Sequence, residues 1–402
     1  MKMLILLTAC VFASPLPIQA QWQLRGFVGR DIFSLLTNGS VTYAGGDSGC
    51  YRSSNDGLTW ERRSNGLPVA PAFTKTLAIA GASLFAGTNA ADGVYLTTNE
   101  GETWSVAGSG LTGTGVHALL SVGNRIFAGT NGNGVFQSTD NGETWQPSSN
   151  GLTSLAVHSL LATQGRVFAG TETGVFVSTD SGGNWSLPLP GPIGIRSLAV
   201  NGAGIFAATN STGVFKSTDT GTTWTAVNDG LTDSFVRVII SQAGNLFAGT
   251  RYSGVFLSTS GGNSWSQIND GLDSVSVLSL AVNSTILYAG METGGVWTRP
   301  LSQVVDVGNQ HVPLNTSLRL EQNYPNPFNP VTTIVCQVAV AGHVRLVVYD
   351  ERGGTVATLM DKVVGAGSYS TRWDASTVAS GVYFYRLESG TSSATKRLMI
   401  LK

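Results

Sequence analysis

Ser138-Thr139-Asp140-Asn141-Gly142-Glu143-Thr144-Trp145 (STDNGETW) recurs with drift through most of the chain. The other copies are SSNDGLTW (Ser53 to Trp60), TTNEGETW (Thr97 to Trp104), STDSGGNW (Ser178 to Trp185), STDTGTTW (Ser217 to Trp224) and STSGGNSW (Ser258 to Trp265). The tryptophans Trp60, Trp104, Trp145, Trp185, Trp224 and Trp265 stand 44, 41, 40, 39 and 41 residues apart. A fixed period near 40 means repeated supersecondary units. The Ser or Thr hydroxyl and the carboxylates of Asp140, Asp180 and Asp219 can accept hydrogen bonds from the N–H groups that a tight turn leaves unpaired. The glycine two places later takes positive φ without a Cβ clash. The tryptophan opens the next strand with a large ring to bury. The octapeptide reads as a hairpin turn followed by a wedge.

Around each turn the sequence spells short strands. In the fourth repeat these are Val157 to Leu161, Arg166 to Thr171 and Gly174 to Ser178, then a strand from Trp185. Four short strands between glycine-rich turns match a propeller blade. The second strand recurs seven times, from Thr42, Leu84, Ile126, Val167, Ile205, Leu246 and Leu287. The seventh unit stops at Pro300 without a turn box or fourth strand. Trp22 lies 38 residues before Trp60, near one period, so the N-terminal strand is expected to complete the seventh blade. Closure of this kind removes exposed sheet edges.

The box resembles the Asp-box repeat, S-x-D-x-G-x-T-W, of sialidases, sortilin-type receptors, xyloglucan-degrading hydrolases and photosystem assembly factors. The resemblance implies an all-β, seven-bladed β-propeller over residues 21–301, with the boxes as peripheral structural turns. Because the repeat occurs on enzymes and non-enzymes alike, it implies a fold and no activity.

The ends of the chain carry other signals. Residues 1–20 read as a signal peptide, with Lys2, an apolar run from Met3 to Phe12 and a small-residue site at Ile18-Gln19-Ala20. Leu7-Thr8-Ala9-Cys10 also fits a lipoprotein box. Cys50 and Cys336 are expected as buried free thiols, without a disulfide framework or a cysteine metal site. No later apolar stretch is long enough to span a membrane. Charged residues make up 12% of the chain and the formal net charge is −1, which gives no electrostatic case for nucleic acid.

Residues 302–315 read as a linker. Asn323-Tyr324-Pro325-Asn326-Pro327-Phe328-Asn329-Pro330 follows, whose prolines suggest an extended, stiff lead-in. Short alternating strands then run to the end, as in Val344, Leu346 and Val348, and predict a small Ig-like β-sandwich over 316–402. Residues 316–402 resemble the C-terminal sorting domain of type IX secretion substrates. The resemblance is carried by NYPNPFNP, LVVYDERGG (Leu346 to Gly354), WDAS at Trp373, SGVYFYRL (Ser380 to Leu387) and KRLMILK. It implies passage through the periplasm, a translocon and a sorting peptidase as partners, and a secreted or cell-surface product.

Aligning the first strands exposes one candidate site. Their second residues are Phe33, Lys75, His117, His158, Arg196, Arg237 and Leu278. Lys75, His117, His158, Arg196 and Arg237 are expected to form an arc of donors at the channel mouth, opposite the boxes. Such an arc suits an anionic ligand, a glycan or an acidic protein segment. The two histidines gain charge as pH falls, so mildly acid pH is expected to tighten binding. A glycosidase needs two carboxyl groups roughly 5–9.5 Å apart. The loop carboxylates are Asp31, Asp92, Glu172, Asp229, Asp233, Asp270, Asp273 and Glu292, and only Asp233 with Asp273 makes a pair on adjacent loops. No catalytic set, cofactor motif or metal site is evident; His117 and His158 lack a third ligand. The expectation is a non-catalytic binding protein, with a sialidase-like or xyloglucanase-like glycoside hydrolase as the alternative.

Overall fold

The computed structural model describes residues 21–68, 73–90, 93–111, 115–188, 191–304, 318–323, 325–338, 342–364, 367–390 and 392–401. The expected signal peptide, most of the expected linker and Asp92 lie outside the described residues. Two compact units divide the chain, Met1–Asp306 and Val307–Lys402.

Among the described residues, the first unit holds seven antiparallel sheets that follow one another along the chain. One sheet consists of Val116–Val122, Arg125–Thr130, Val135–Ser138 and Gln146–Pro147, paired in that order. Its second strand explains why Phe-Ala-Gly-Thr recurs. Phe127 and Ala128 are fully buried, and burying the phenyl group alone stabilises by roughly 1.5–3 kcal/mol. A Cβ on Gly129 would sit 2.7 Å from Val157 Cγ1 of the next sheet, so glycine sets the spacing between sheets. Thr130 Oγ1 donates to the Gly134 carbonyl at 2.8 Å and closes the following loop.

The first strands of neighbouring sheets pack side by side, and the last, Val277–Val282, lies against the first, Ile32–Asn38. Ser279 Oγ donates to the Ile32 carbonyl at 2.8 Å and Thr37 Oγ1 to the Val282 carbonyl at 2.9 Å, which ties the ring shut. The seventh sheet takes its outer strand from the N-terminus: Gln23 pairs with Thr298 and Leu24 with Trp297. Trp22 Nε1 donates to the Ile268 carbonyl at 2.6 Å and its amide to Asp270 at 2.8 Å. Trp145 does the same one sheet back, to Ala107 at 2.6 Å and Ser109 at 2.8 Å. Trp22 thus holds a box tryptophan's position with no box before it.

Each box turn is built as its residues suggest. Ser138 Oγ donates to Asp140 Oδ1 at 2.7 Å and accepts the Gly142 amide at 2.8 Å. Asp140 accepts the Thr144 amide at 2.9 Å and its hydroxyl at 2.5 Å. Asn141 (φ 59°) and Gly142 (φ 86°) both take positive φ, the pattern of a hairpin turn that follows strand twist. The Thr144 hydroxyl and amide, with Ser138, lower the Asp140 carboxyl to about 2; Asn184 and Thr223 lead the same effect at Asp180 and Asp219.

Two expectations are corrected in this unit. The fourth sheet has three strands, Val157–Thr163, Arg166–Thr171 and Val175–Ser178, and its outer strand shrinks to a single bridge between Val177 and Ser186. The cause is Pro188. At this place in other sheets, Ala107, Ser148, Val227 and Ile268 each donate an amide to the third strand, and proline has none to give. The expected linker also starts too early: residues 301–304 form a helical turn, and Val304 is buried with Trp22 and Trp297.

The second unit is a two-sheet β-sandwich. One sheet orders Arg319–Leu320, Val331–Val338 and Gly367–Asp374; the other orders Thr355–Val364, Gly342–Tyr349, Gly381–Ser389 and Ser392–Ile400. Ile334, Val344, Leu346, Val348, Leu387 and Leu398 are fully buried between them. The proline segment is not an extended lead-in. Phe328 is buried and pairs in parallel with Ile400, and the Asn326–Pro327 and Asn329–Pro330 peptides are cis. Asn323 donates its amide group to Thr332 Oγ1 at 2.9 Å, while the Tyr385 hydroxyl donates to the Glu321 carbonyl at 2.6 Å. The proline segment, the Tyr385 strand and the last strand therefore meet as one structural knot. Cys50 and Cys336 are free and buried, and burial pushes their thiols up to about 12 and about 11. Among the described residues no helix is long and apolar enough to cross a membrane.

Candidate functional site

Every first strand begins with the same irregularity. Its ladder steps from Ile32 to Ser34, Thr74 to Thr76, Val116 to Ala118, Val157 to Ser159, Ile195 to Ser197, Val236 to Val238 and Val277 to Ser279. A β-bulge leaves one residue unpaired and re-aims its side chain. The skipped residues are Phe33, Lys75, His117, His158, Arg196, Arg237 and Leu278, the aligned register of the sequence. All seven line one solvent-open cavity of about 370 Å³, together with Phe235.

The five donors are brought together but are not equivalent. Lys75 Nζ sits 3.3 Å from the centroid of the Phe33 ring, a cation–π contact, and burial pulls its pKa down. The rings of His117 and His158 stack with centroids 6.0 Å apart. Burial, then the charges of His158, Lys75 and Arg196, lower His117 to about 4. Burial and Arg196 also lower His158. His117 is therefore neutral at mildly acid pH, and the expected gain of charge there is corrected for that ring.

The arginines are already partnered. Arg196 Nη2 lies 2.9 Å from Glu172 Oε1, and its Nη1 lies 3.0 Å from His158 Nε2. Glu172 Oε1 is also 2.9 Å from His158 Nε2. That nitrogen can accept from Arg196 or donate to Glu172, but one tautomer cannot do both. Arg237 Nη1 donates to Glu292 Oε2 at 2.9 Å and to Ser276 Oγ at 3.1 Å. The Ser276 hydroxyl, with Arg237, holds the Glu292 carboxyl below its usual range against the opposing effect of burial.

Glu172 and Glu292, in sequence two loop carboxylates among several, reach the arc. The available signal was position: each follows the last residue of a second strand, directly across the hairpin from a bulge. Asp233 is not a free carboxylate. It is 8% exposed and accepts the Phe235 amide at 2.9 Å and the Tyr252 amide at 2.7 Å, which takes it out of the proposed pair with Asp273. Asp31 accepts the Thr293 amide at 2.7 Å. No cluster of three metal-binding side chains occurs among the described residues.

Comparison with known proteins fits both units. Residues 322–401 match the family of secretion system C-terminal sorting domains, and residues 56–189 match the DUF6242 β-propeller domain. The sorting tail marks the protein for type IX export to the cell surface or beyond it. No curated protein matches the sequence. The extracellular domain of a putative hybrid two-component system from B. thetaiotaomicron is similar in fold, at TM-score 0.63 and 12% identity over 95% of this chain and 57% of that one. The GH74 xyloglucanase from Xanthomonas campestris superposes at TM-score 0.56 and 14% identity, over 79% and 59% of the two chains. YCF48 from Cyanidioschyzon merolae does so at 0.54 and 14%, over 70% and 98%. At these identities the likeness is one of fold.

Proposed function

We propose that the first unit is a seven-bladed Asp-box propeller that binds an extracellular ligand at its channel mouth without catalysis. Lys75, His117, His158, Arg196 and Arg237 face that ligand. One observation carries the reading: a bulge at the same register of all seven first strands turns seven side chains into one opening. Repeated backbone geometry with varied side chains is what a binding surface on a repeat scaffold requires.

Arg196 pairs with the carboxylate of Glu172 and Arg237 with that of Glu292, while Lys75 lies over the Phe33 ring. An anionic ligand, a glycan or an acidic protein segment, exchanges for these internal carboxylates on the guanidinium groups. The same pairing weighs against hydrolysis. A glycosidase needs one protonated and one free carboxyl group, whereas Glu172 and Glu292 are paired with arginine and Asp233 with two amides. Calorimetric titration of the purified chain with acidic oligosaccharides, at low and high salt, tests the reading. Binding weakened by salt supports it; no binding of any acidic glycan or acidic peptide sinks it.

A further inference from the structure

Beside the mouth, two loops of the sixth sheet carry an arrangement that ring closure does not require. Tyr252 is 65% exposed, yet its amide is pinned by the buried carboxylate of Asp233. The other oxygen of that carboxylate pins Phe235, whose ring meets Tyr252 edge-on at 6.4 Å and borders the cavity. Arg251 lies over both rings, 5.1 Å from Phe235 and 5.3 Å from Tyr252. Arg237, with its Glu292 partner, stands 5.8 Å from Phe235. Burying a carboxylate is costly. Here it fixes the loop backbone beneath an aromatic ring that stays in water, so the return comes as preorganisation for a ligand and not as core packing.

We propose that Phe235 and Tyr252, braced by Asp233, form a sugar-stacking platform on the rim. The ligand of the mouth is then a uronate-bearing glycan, whose ring lies on Tyr252 while its carboxylate reaches Arg251 and Arg237; this rests on the mouth-binding reading above. A pyranose ring offers a face of C–H groups edged by hydroxyls, which fits an apolar ring face bordered by charged groups. A uronate adds the planar carboxylate that guanidinium binds in bidentate fashion. An apolar peptide anchor would call for a desolvated pocket, and Tyr252 stands proud of one. Asp233 is a positioning residue in this account and touches no ligand.

The test is calorimetry on the full purified chain with oligogalacturonate and, in a second arm, poly-glutamate of similar charge. The expected result is binding of oligogalacturonate that Tyr252→Ala weakens by at least about tenfold. Tyr252→Phe retains binding, and Asp233→Asn weakens it with the thermal midpoint reported alongside. Poly-glutamate binding, where it occurs, responds to Arg237→Ala and not to Tyr252→Ala. If Arg237→Ala weakens oligogalacturonate binding while Tyr252→Ala does not, the platform is overturned and the mouth reading stands. If Tyr252→Ala weakens both probes equally, the ring does not select a sugar face and the glycan assignment is overturned. If the wild-type chain binds neither probe, both readings fail.

Discussion

At the box face, Ser138, Asp140 and Thr144 are answered by Ser178, Asp180 and Asn184 and by Ser217, Asp219 and Thr223, and each set makes the same bonds. At the mouth, one backbone bulge carries phenylalanine, lysine, histidine, arginine or leucine, depending on the sheet. The first face repeats its side chains because every turn has the same unpaired amides to satisfy. The second repeats only its geometry and leaves the chemistry free to differ. In a repeat protein, sameness marks what holds the ring together, and variation at a fixed register is what the proposed binding surface requires.

The largest test of this contrast uses the tryptophans. Trp22→Ala should lower stability by about 3–5 kcal/mol in chemical denaturation, as expected for a buried tryptophan. Trp60→Ala should cost clearly less, because Trp60 is only partly buried and its indole nitrogen lacks a partner. Equal losses would mean that the wedges are interchangeable and that the seam is not special. Next comes the mouth. Arg196→Ala and Arg237→Ala should each weaken an anionic ligand by about 1.5–3 kcal/mol, with stability changed by no more than about 1 kcal/mol. A large drop in melting temperature for either would make the mouth structural and erase the contrast.

A smaller effect separates the faces by pH. The box carboxylates titrate near about 2 when folded, against about 3.9 unfolded. A depressed folded pKa contributes stability above the unfolded value that fades as pH falls through the folded one. An acid titration of Asp140→Ala/Asp180→Ala/Asp219→Ala should therefore be flatter than wild type between about pH 4 and about pH 2. Parallel curves would show that these bonds contribute nothing beyond the backbone turn. The smallest expected effect is at the mouth, where His117 should add nothing to the affinity for an anion between pH 7 and about pH 5, because it stays neutral down to about 4. Tightening by about tenfold over that span would show that ligand binding charges the histidine pair.

Much of this was legible in the sequence because it is local or periodic. The box turns use residues at most a few places apart, and the spacing of Trp22 from Trp60 was enough to suggest the closing strand. What escaped depended on single atoms or on distant partners. The missing amide of Pro188 removes an outer strand from the fourth sheet, where the sequence from Trp185 predicts one. The bulge is a backbone event with no residue signature of its own: it carries Phe33 and Leu278 as readily as the five donors. The pairing of Arg196 with Glu172 joins two sheets, and no spacing rule reports that. In the second unit, three closely spaced prolines suggest an extended lead-in, whereas the bridge from Phe328 to Ile400 folds the segment back.

The closing strand has a kinetic consequence. Within an ordinary sheet the outer strand returns after a short hairpin, as Gln146 does to Gln137, whereas Gln23 must find Thr298 across nearly the whole unit. Loop-closure entropy grows only logarithmically with length, so the long route costs roughly 3 kcal/mol more than the short one. That is a difference the buried Trp22 can offset at equilibrium, but it places the seam late in folding, after the sheets it joins. A chain in which Gln21 to Gly26 is moved behind Pro300 would shorten the search, so it should fold faster and, where the contacts are kept, gain up to roughly those 3 kcal/mol of stability.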